Sequence, residues 1–216
     1  MKKYTTIIFD LDGTLLYTLE DLKNATNYAL TECGYPERTL EEVRKFVGNG
    51  VRKLIERAVP SGTNAENTAK VFGASKKYYD MHATDNTRLY DGVDKLLYTL
   101  KEKGYNLAIV SNKIQSAVDI LHDRFFKDTI QISIGDREGQ NRKPAPDSVL
   151  SVMEYFHAAK DETLYVGDSE VDILTAKNAE VDCISVSWGF RDTDELMAAG
   201  ATIIVKTPEQ LVKKLA

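Results

Sequence analysis

Short runs rich in β-branched and aromatic residues recur along the chain. They fall at 4–9 (YTTIIF), 106–110 (NLAIV), 130–134 (IQISI), 163–166 (TLYV), 183–188 (CISVSW) and 202–205 (TIIV). Each has the length and make-up of a buried strand. Between the later runs the apolar spacing turns helical: Val93, Leu96, Leu97 and Leu100 stand at i, i+3, i+4 and i+7, and Ile114, Ala117, Val118 and Leu121 repeat that spacing. The stretch PDSVLSVMEYFH (146–157) opens on proline and aspartate, a helix start, before an apolar stripe. Strands alternating with helices predict right-handed βαβ crossovers and a parallel sheet covered on both faces. The expected fold class is α/β, a doubly wound, Rossmann-like core.

One stretch breaks the alternation. Residues 16–90 show no convincing strand, only helical stripes: Leu22, Ala25, Ala29 and Cys33 form one, and Val51, Leu54, Ile55, Ala58 and Val59 another. A third segment, 69–83, offers Phe72, Tyr78, Tyr79 and Met81 less regularly. An interval of roughly seventy residues is too long for a βα loop and too patterned for a linker. The expected organisation is a Rossmann-like core of 1–15 and 91–216, with a small helical domain of 16–90 inserted after the first strand.

Composition narrows the function. The chain has 216 residues, 43% hydrophobic and 28% charged, which is enough to bury a sizeable core. A formal charge of −5 with no basic tract argues against nucleic acid as the main partner. No signal peptide and no membrane-spanning run is legible, and Cys33 and Cys183 have no metal-ligand spacing, so reduced thiols in the cytoplasm are expected. Whether the protein is a monomer or a dimer is not legible.

Chemistry enters at the strand ends, because open parallel sheets bind ligands outside the carboxyl ends of their strands. After the first run come Asp10 and Asp12; after the second, Ser111 and Asn112; after the third and a loop, Lys143; after the fourth, Asp168, Ser169 and Asp172. Taken singly, each has a plainer explanation. DxDG is a turn signal, Ser-Asn a helix cap, and a lysine before proline a solvated loop residue. A calcium loop of the EF-hand type is excluded, because its glycine and glutamate positions hold Leu15 and Asp21. Jointly, at successive strand ends, these residues describe one site. Three acids meeting in a pocket repel unless a hard divalent cation sits among them, and Mg²⁺ suits carboxylates plus a phosphate oxygen. A carboxylate can attack phosphorus, while the cation, Lys143, Ser111 and Asn112 neutralise the transferring oxygens and Asp12 moves protons.

DLDGTL, Ser111, Lys143 within RKPAP, and GDSEVD together resemble the four motifs of the haloacid dehalogenase superfamily, over nearly the whole chain. The resemblance implies Asp10 as nucleophile and Asp12 as acid/base. It implies Mg²⁺ held by Asp10, the Asp12 backbone carbonyl and Asp168, with Asp172 in support. It makes the helical insert a cap, and the presence of Asp12 favours a phosphatase over a dehalogenase. EEVRKFVGNGVRKLIERAV is similar to the cap segment of phosphoglycolate phosphatases, which brings Gly48, Asn49, Gly50 and Arg52 forward as substrate contacts. An exposed helix arginine is the plainer reading of Arg52. Two departures stand out: Tyr17-Thr18 where relatives carry Asp-Ser, altering the cap hinge, and Glu180 where they carry glycine in a helix cap.

The expected function is a Mg²⁺-dependent phosphomonoesterase acting on a small phosphorylated metabolite, foremost 2-phosphoglycolate, through an aspartyl phosphate. Another small-metabolite phosphatase, a pyrophosphatase or a phosphosugar mutase is the alternative within the superfamily. A phospho-accepting regulatory module is the alternative from another class; such a receiver lacks a cap and an Asp12. His82, His122 and His157 have no ligand spacing with one another and are expected to stay outside the site.

Overall fold

The computed structural model describes residues 4–215. The chain divides into two compact units, one of residues 1–16 and 89–216 and one of residues 17–88.

The elements run in chain order as follows: β1 (Thr6–Phe9), β2 (Leu16–Tyr17), α1 (Leu19–Glu32), α2 (Leu40–Phe46), α3 (Val51–Ala58), α4 (Ala65–His82), β3 (Arg88–Leu89), α5 (Val93–Glu102), β4 (Asn106–Ile114), α6 (Gln115–Phe125), β5 (Ile132–Asp136), α7 (Asp147–Phe156), β6 (Thr163–Gly167), α8 (Glu170–Ala179), β7 (Asp182–Val186), α9 (Thr193–Ala198), β8 (Ile204–Val205) and α10 (Pro208–Leu215).

The larger unit carries a six-stranded sheet in the order β5-β4-β1-β6-β7-β8, with every recorded pairing parallel. This is the doubly wound arrangement that the strand–helix alternation predicts. The strand order reverses at β1, the topological switch point, and β1 pairs with β4 on one side and β6 on the other. Alternation along each strand sorts its side chains between two layers. Ile7, Phe9, Leu107, Ile109, Leu164 and Val166 join the layer under α5, α6 and α10. Ile8, Ala108, Val110 and Tyr165 face the opposite way, onto Val149, Val152 and Met153 of α7 and Ala176 and Ala179 of α8. The central strands are buried on both sides, which is why they read as unbroken apolar runs.

Differences from the sequence expectation have local causes. The run at 130–134 starts two residues before its strand, because the Ile130 and Thr129 amides bond back to the Phe126 carbonyl at 2.9 and 2.8 Å. β4 outruns its apolar stretch through Ser-Asn-Lys to Ile114, still paired with β5 after a register shift between Val110 and Ile114. Residues 16–90 also hold two strands that the pattern does not announce, β2 and β3, which pair as a two-residue ribbon. Two residues are too few to display a period.

The smaller unit is a set of four helices. Ala29, Leu30, Ile55, Ala58, Val59 and Val71 form its core, with Cys33, Tyr35, Phe46 and Phe72 packed around them. Polar bonds fix its loops. Asn27 holds the Arg38 backbone through both ends of its amide at 2.8 and 2.9 Å, and Arg38 Nε donates to the Ala58 carbonyl at 2.7 Å. Thr39 and Glu42 cap α2 reciprocally. The Asp21 carboxylate is buried and accepts hydrogen bonds from the backbone amides of Asn86 and Thr87, the Asn86 side chain and the Thr87 hydroxyl, all within 3.1 Å.

Candidate functional site

β1 stops at Phe9, and the Asp10 amide still bonds the Val166 carbonyl at 2.9 Å, so Asp10 leaves the sheet beside the end of β6. The chain then turns sharply: the Leu15 and Leu16 amides both donate to the Leu11 carbonyl at 3.0 Å, and Gly13 donates to Leu16 at 2.9 Å. Gly13 has φ +90°, and a Cβ there would overlap the Asp168 carboxylate, so this turn needs glycine twice over.

Asp10, Asp168 and Asp172 are buried, and a carboxylate oxygen from each lies within 4.8 Å of the others. A buried Lys143 answers part of this charge. Its Nζ stands 2.8 Å from Asp10 Oδ1 and 2.8 Å from Asp172 Oδ1, and it donates to the Tyr165 hydroxyl at 3.0 Å. Burial, reinforced by the Asp172 and Asp12 carboxylates and opposed by Lys143, pushes Asp10 up to about 7. Burial, reinforced by the Asp172 and Asp10 carboxylates, holds Asp168 well above the usual carboxylate range. For Lys143 burial works downward, but Asp10 and Asp172 outweigh it and keep the ammonium well above the ordinary lysine value.

The supporting bonds are specific. The Phe190 amide donates to Asp168 Oδ2 at 2.7 Å and the Thr14 hydroxyl to Oδ1 at 3.3 Å. The Ser169 amide and hydroxyl both donate to Asp172 Oδ2, at 3.1 and 2.6 Å. Asp172 thus accepts at both oxygens, from Lys143 and Ser169, and Asp168 at both, from Phe190 and Thr14. Gly167 lets Asp172 come this close, since a Cβ there would run into its carboxylate.

Ser111 and Asn112 lie near the end of β4, both buried. The Ser111 hydroxyl accepts from the Lys113 amide at 3.2 Å, and Asn112 Nδ2 donates to the Lys143 carbonyl at 3.1 Å, which ties the Lys143 loop to β4. Lys113 has no place among the sequence candidates. Its Nζ lies 2.8 and 3.1 Å from the two oxygens of Asp12, with only 6% of its side chain exposed. It lies two residues past Ser111 in β4, within the stretch where the register with β5 shifts.

Gly48, Asn49, Gly50 and Arg52 belong to the smaller unit. Gly48 and Gly50 have positive φ, and Gly50 opens α3. Asn49 accepts from Arg57 Nη2 at 2.8 Å, and the Arg52 guanidinium lies 4.5 Å from the Phe72 ring centroid. Tyr17 lies under the Arg88 guanidinium at 4.3 Å, and Thr18 precedes α1 without a side-chain cap bond. Glu180 closes α8 in the left-handed conformation, φ 59°. None of the three histidines belongs to the carboxylate cluster.

An all-oxygen donor set suits a hard divalent cation. The charges agree, because in their ionised form, which a cation would favour, three carboxylates against the Lys143 ammonium leave two negative charges to balance.

Comparison with known proteins accords with this geometry. The model of the haloacid dehalogenase-like hydrolases matches residues 7–186. Phosphoglycolate phosphatase 1 of Pseudomonas aeruginosa is 33% identical over 217 aligned residues, covering 95% of this chain and 78% of that protein. The phosphoglycolate phosphatase of Vibrio parahaemolyticus is 31% identical over 97% of this chain and 95% of its own. A crystal structure from Lactobacillus delbrueckii subsp. bulgaricus, of a protein assigned as a phosphoglycolate phosphatase, superposes with a TM-score of 0.94 at 34% identity, covering 99% of this chain and 98% of that one. The chain belongs to the haloacid dehalogenase-like hydrolase family, and within it to the phosphatases.

Proposed function

We propose that the protein is a Mg²⁺-dependent phosphomonoesterase that hydrolyses 2-phosphoglycolate through an aspartyl phosphate on Asp10. The observation that carries this reading is the buried Asp10–Asp168–Asp172 cluster with Lys143 bonded to two of its members. Asp10 Oδ attacks phosphorus, the bond from phosphorus to the ester oxygen breaks, and Asp12 gives its proton to the departing oxygen. Water then attacks phosphorus, Asp12 takes the water's proton, and the bond to Asp10 breaks to release phosphate. Asp10, Asp168 and the Asp12 backbone carbonyl would hold Mg²⁺, with Asp172 in support; bound there, the ion supplies charge neutralisation for the transferring oxygens. Lys143 and the Ser111 hydroxyl serve the same oxygens, and Asn112 acts by fixing the loop that carries Lys143.

Three observations support the substrate. Curated relatives at 31% and 33% identity are named for it. The net charge of −5 disfavours nucleic acid. The GNG turn before α3 is like the cap segment of such enzymes. No helix among the described residues is long and apolar enough to cross a membrane.

The test is phosphate release from 2-phosphoglycolate with Mg²⁺, with chelator, and as Asp10→Asn. The variant should lose at least about 10³-fold in kcat, and acid-quenched wild type should carry a labile phosphoryl group that the variant lacks. Turnover that survives in Asp10→Asn would remove the nucleophile assignment.

A further inference from the structure

Asp12 has a partner that the catalytic scheme does not use. Lys113 Nζ sits at hydrogen-bond distance from both Asp12 oxygens and is almost wholly withdrawn from water. A lysine spent only on neutralising an aspartate gains little from this placement, since burying both members costs desolvation on each. Its position carries more information than its charge. Asp12 has to reach the ester oxygen to deliver a proton, so the Lys113 ammonium, bonded to Asp12, stands one further hydrogen bond from that oxygen.

Resting on the reading of the site as a phosphoglycolate phosphatase, we infer that Lys113 is the specificity-determining cation. It takes the carboxylate that an α-phosphoryloxy acid carries two bonds from its ester oxygen. An ammonium has three donors and no acceptor, so it can trade one of its two Asp12 contacts for a substrate carboxylate oxygen and stay paired throughout. The exchange also frees one Asp12 oxygen toward the ester oxygen. A substrate without the carboxylate leaves Asp12 held at both oxygens. Selectivity and proton delivery are then coupled through one side chain, built into β4 two residues past Ser111.

Backbone geometry fixes where this lysine can be. The Lys113 amide donates to the Ser111 hydroxyl at 3.2 Å, and a Cβ on Gly135 would run into the Lys113 carbonyl, so β5 packs directly against this segment of β4. The base of the side chain is held while its far end reaches Asp12.

The experiment compares kcat/KM for 2-phosphoglycolate with that for 2-hydroxyethyl phosphate, which replaces the carboxylate by a hydroxymethyl group. It uses wild type, Lys113→Met, Lys113→Gln and Lys113→Arg, each checked for a cooperative melt. In wild type the ratio should strongly favour 2-phosphoglycolate. In both neutral variants it should fall by about 10- to 100-fold, the range of a charged hydrogen bond, mainly through KM for the acid, and Lys113→Arg should restore much of it. A ratio that stays within about threefold of wild type in the neutral variants, while rates on both esters drop together, would overturn the inference and leave Lys113 a positioning residue for Asp12. The wild-type arm keeps the two ideas apart. Absence of any preference for 2-phosphoglycolate overturns the substrate reading, and this inference with it. A preference that the neutral variants keep overturns the inference alone. If Lys113→Met does not fold, Lys113→Gln, which keeps a donor to Asp12, still reads the ratio.

Discussion

Lys143 balances two buried carboxylates at once, and its removal separates structural from catalytic cost. Without it Asp10 and Asp172 are left beside Asp168 with no ammonium, and uncovering buried charge in this way is strongly destabilising. Lys143→Met is expected to lose about 3–5 kcal/mol of unfolding free energy in chelator, measured by urea denaturation, and to recover part of it when Mg²⁺ is added. An unchanged midpoint in chelator would contradict the pairing. Glu180 is the opposite case, a residue whose own backbone works against it. It occupies the left-handed position that closes α8, where an L side chain is strained. Glu180→Gly should raise the melting temperature by a few degrees and leave kcat unaltered. Its exposed contact with Lys160 at 2.6 Å offsets little, as surface pairs contribute weakly.

At the scale of elements, Asp21 of α1 holds residues 86 and 87 through four donors. Because these residues lead into β3, the start and the end of the smaller unit are fastened together by one side chain. Asp21→Ala should cost about 1–3 kcal/mol by stranding the buried Thr87 amide and hydroxyl, read as an earlier unfolding transition, with Asp21→Asn intermediate. Neither Asp21 nor Lys113 stands out in the sequence. Asp21 looks like an ordinary acid in the first turn of a helix, and Lys113 like a strand-end lysine. Their meaning lies in partners 65 and 101 residues away. The grouping of Asp10, Lys143, Asp168 and Asp172 was legible because Asp10 and Asp168 fall where apolar runs end, the other two follow within a loop or a helix turn, and the parallel sheet brings such ends to one edge. The central strands β1, β4 and β6 were legible for a related reason, since burial on both faces leaves a continuous apolar run. β2, β3 and the true ends of β5 and β8 were not, because backbone pairing fixes them and side-chain pattern does not.

For the molecule as a whole, the carboxylate cluster ties stability to pH and to metal. Asp10 binds its proton more tightly folded, at about 7, than the unfolded value of 3.8. Its contribution is therefore complete below the lower value and is lost as pH rises through the upper one; Asp168 is shifted in the same direction. Metal-free protein should thus lose stability from about pH 4 to 7 on account of this site. A divalent ion replaces the protons, so the rise in melting temperature with saturating Mg²⁺ should be larger at about pH 8 than at about pH 5.5. Scanning fluorimetry at the two pH values checks it, and an equal or reversed shift would show that the ion does not compete with protons at these carboxylates.

The central place of β1 has a further consequence, for the order in which the protein comes into being. The strand bearing Asp10 is made early, yet both of its neighbours, β4 and β6, follow about 100 and 157 residues later in the paired register. A nascent chain therefore carries an apolar strand, followed by two aspartates, with no sheet partner until β4 and β6 have been made. Meanwhile the helices of residues 17–88 can close on their own local contacts. Non-local pairing is slow, so completion of the sheet waits for its later strands. Asp10 gains its carboxylate neighbours only when the GDSEVD segment has emerged.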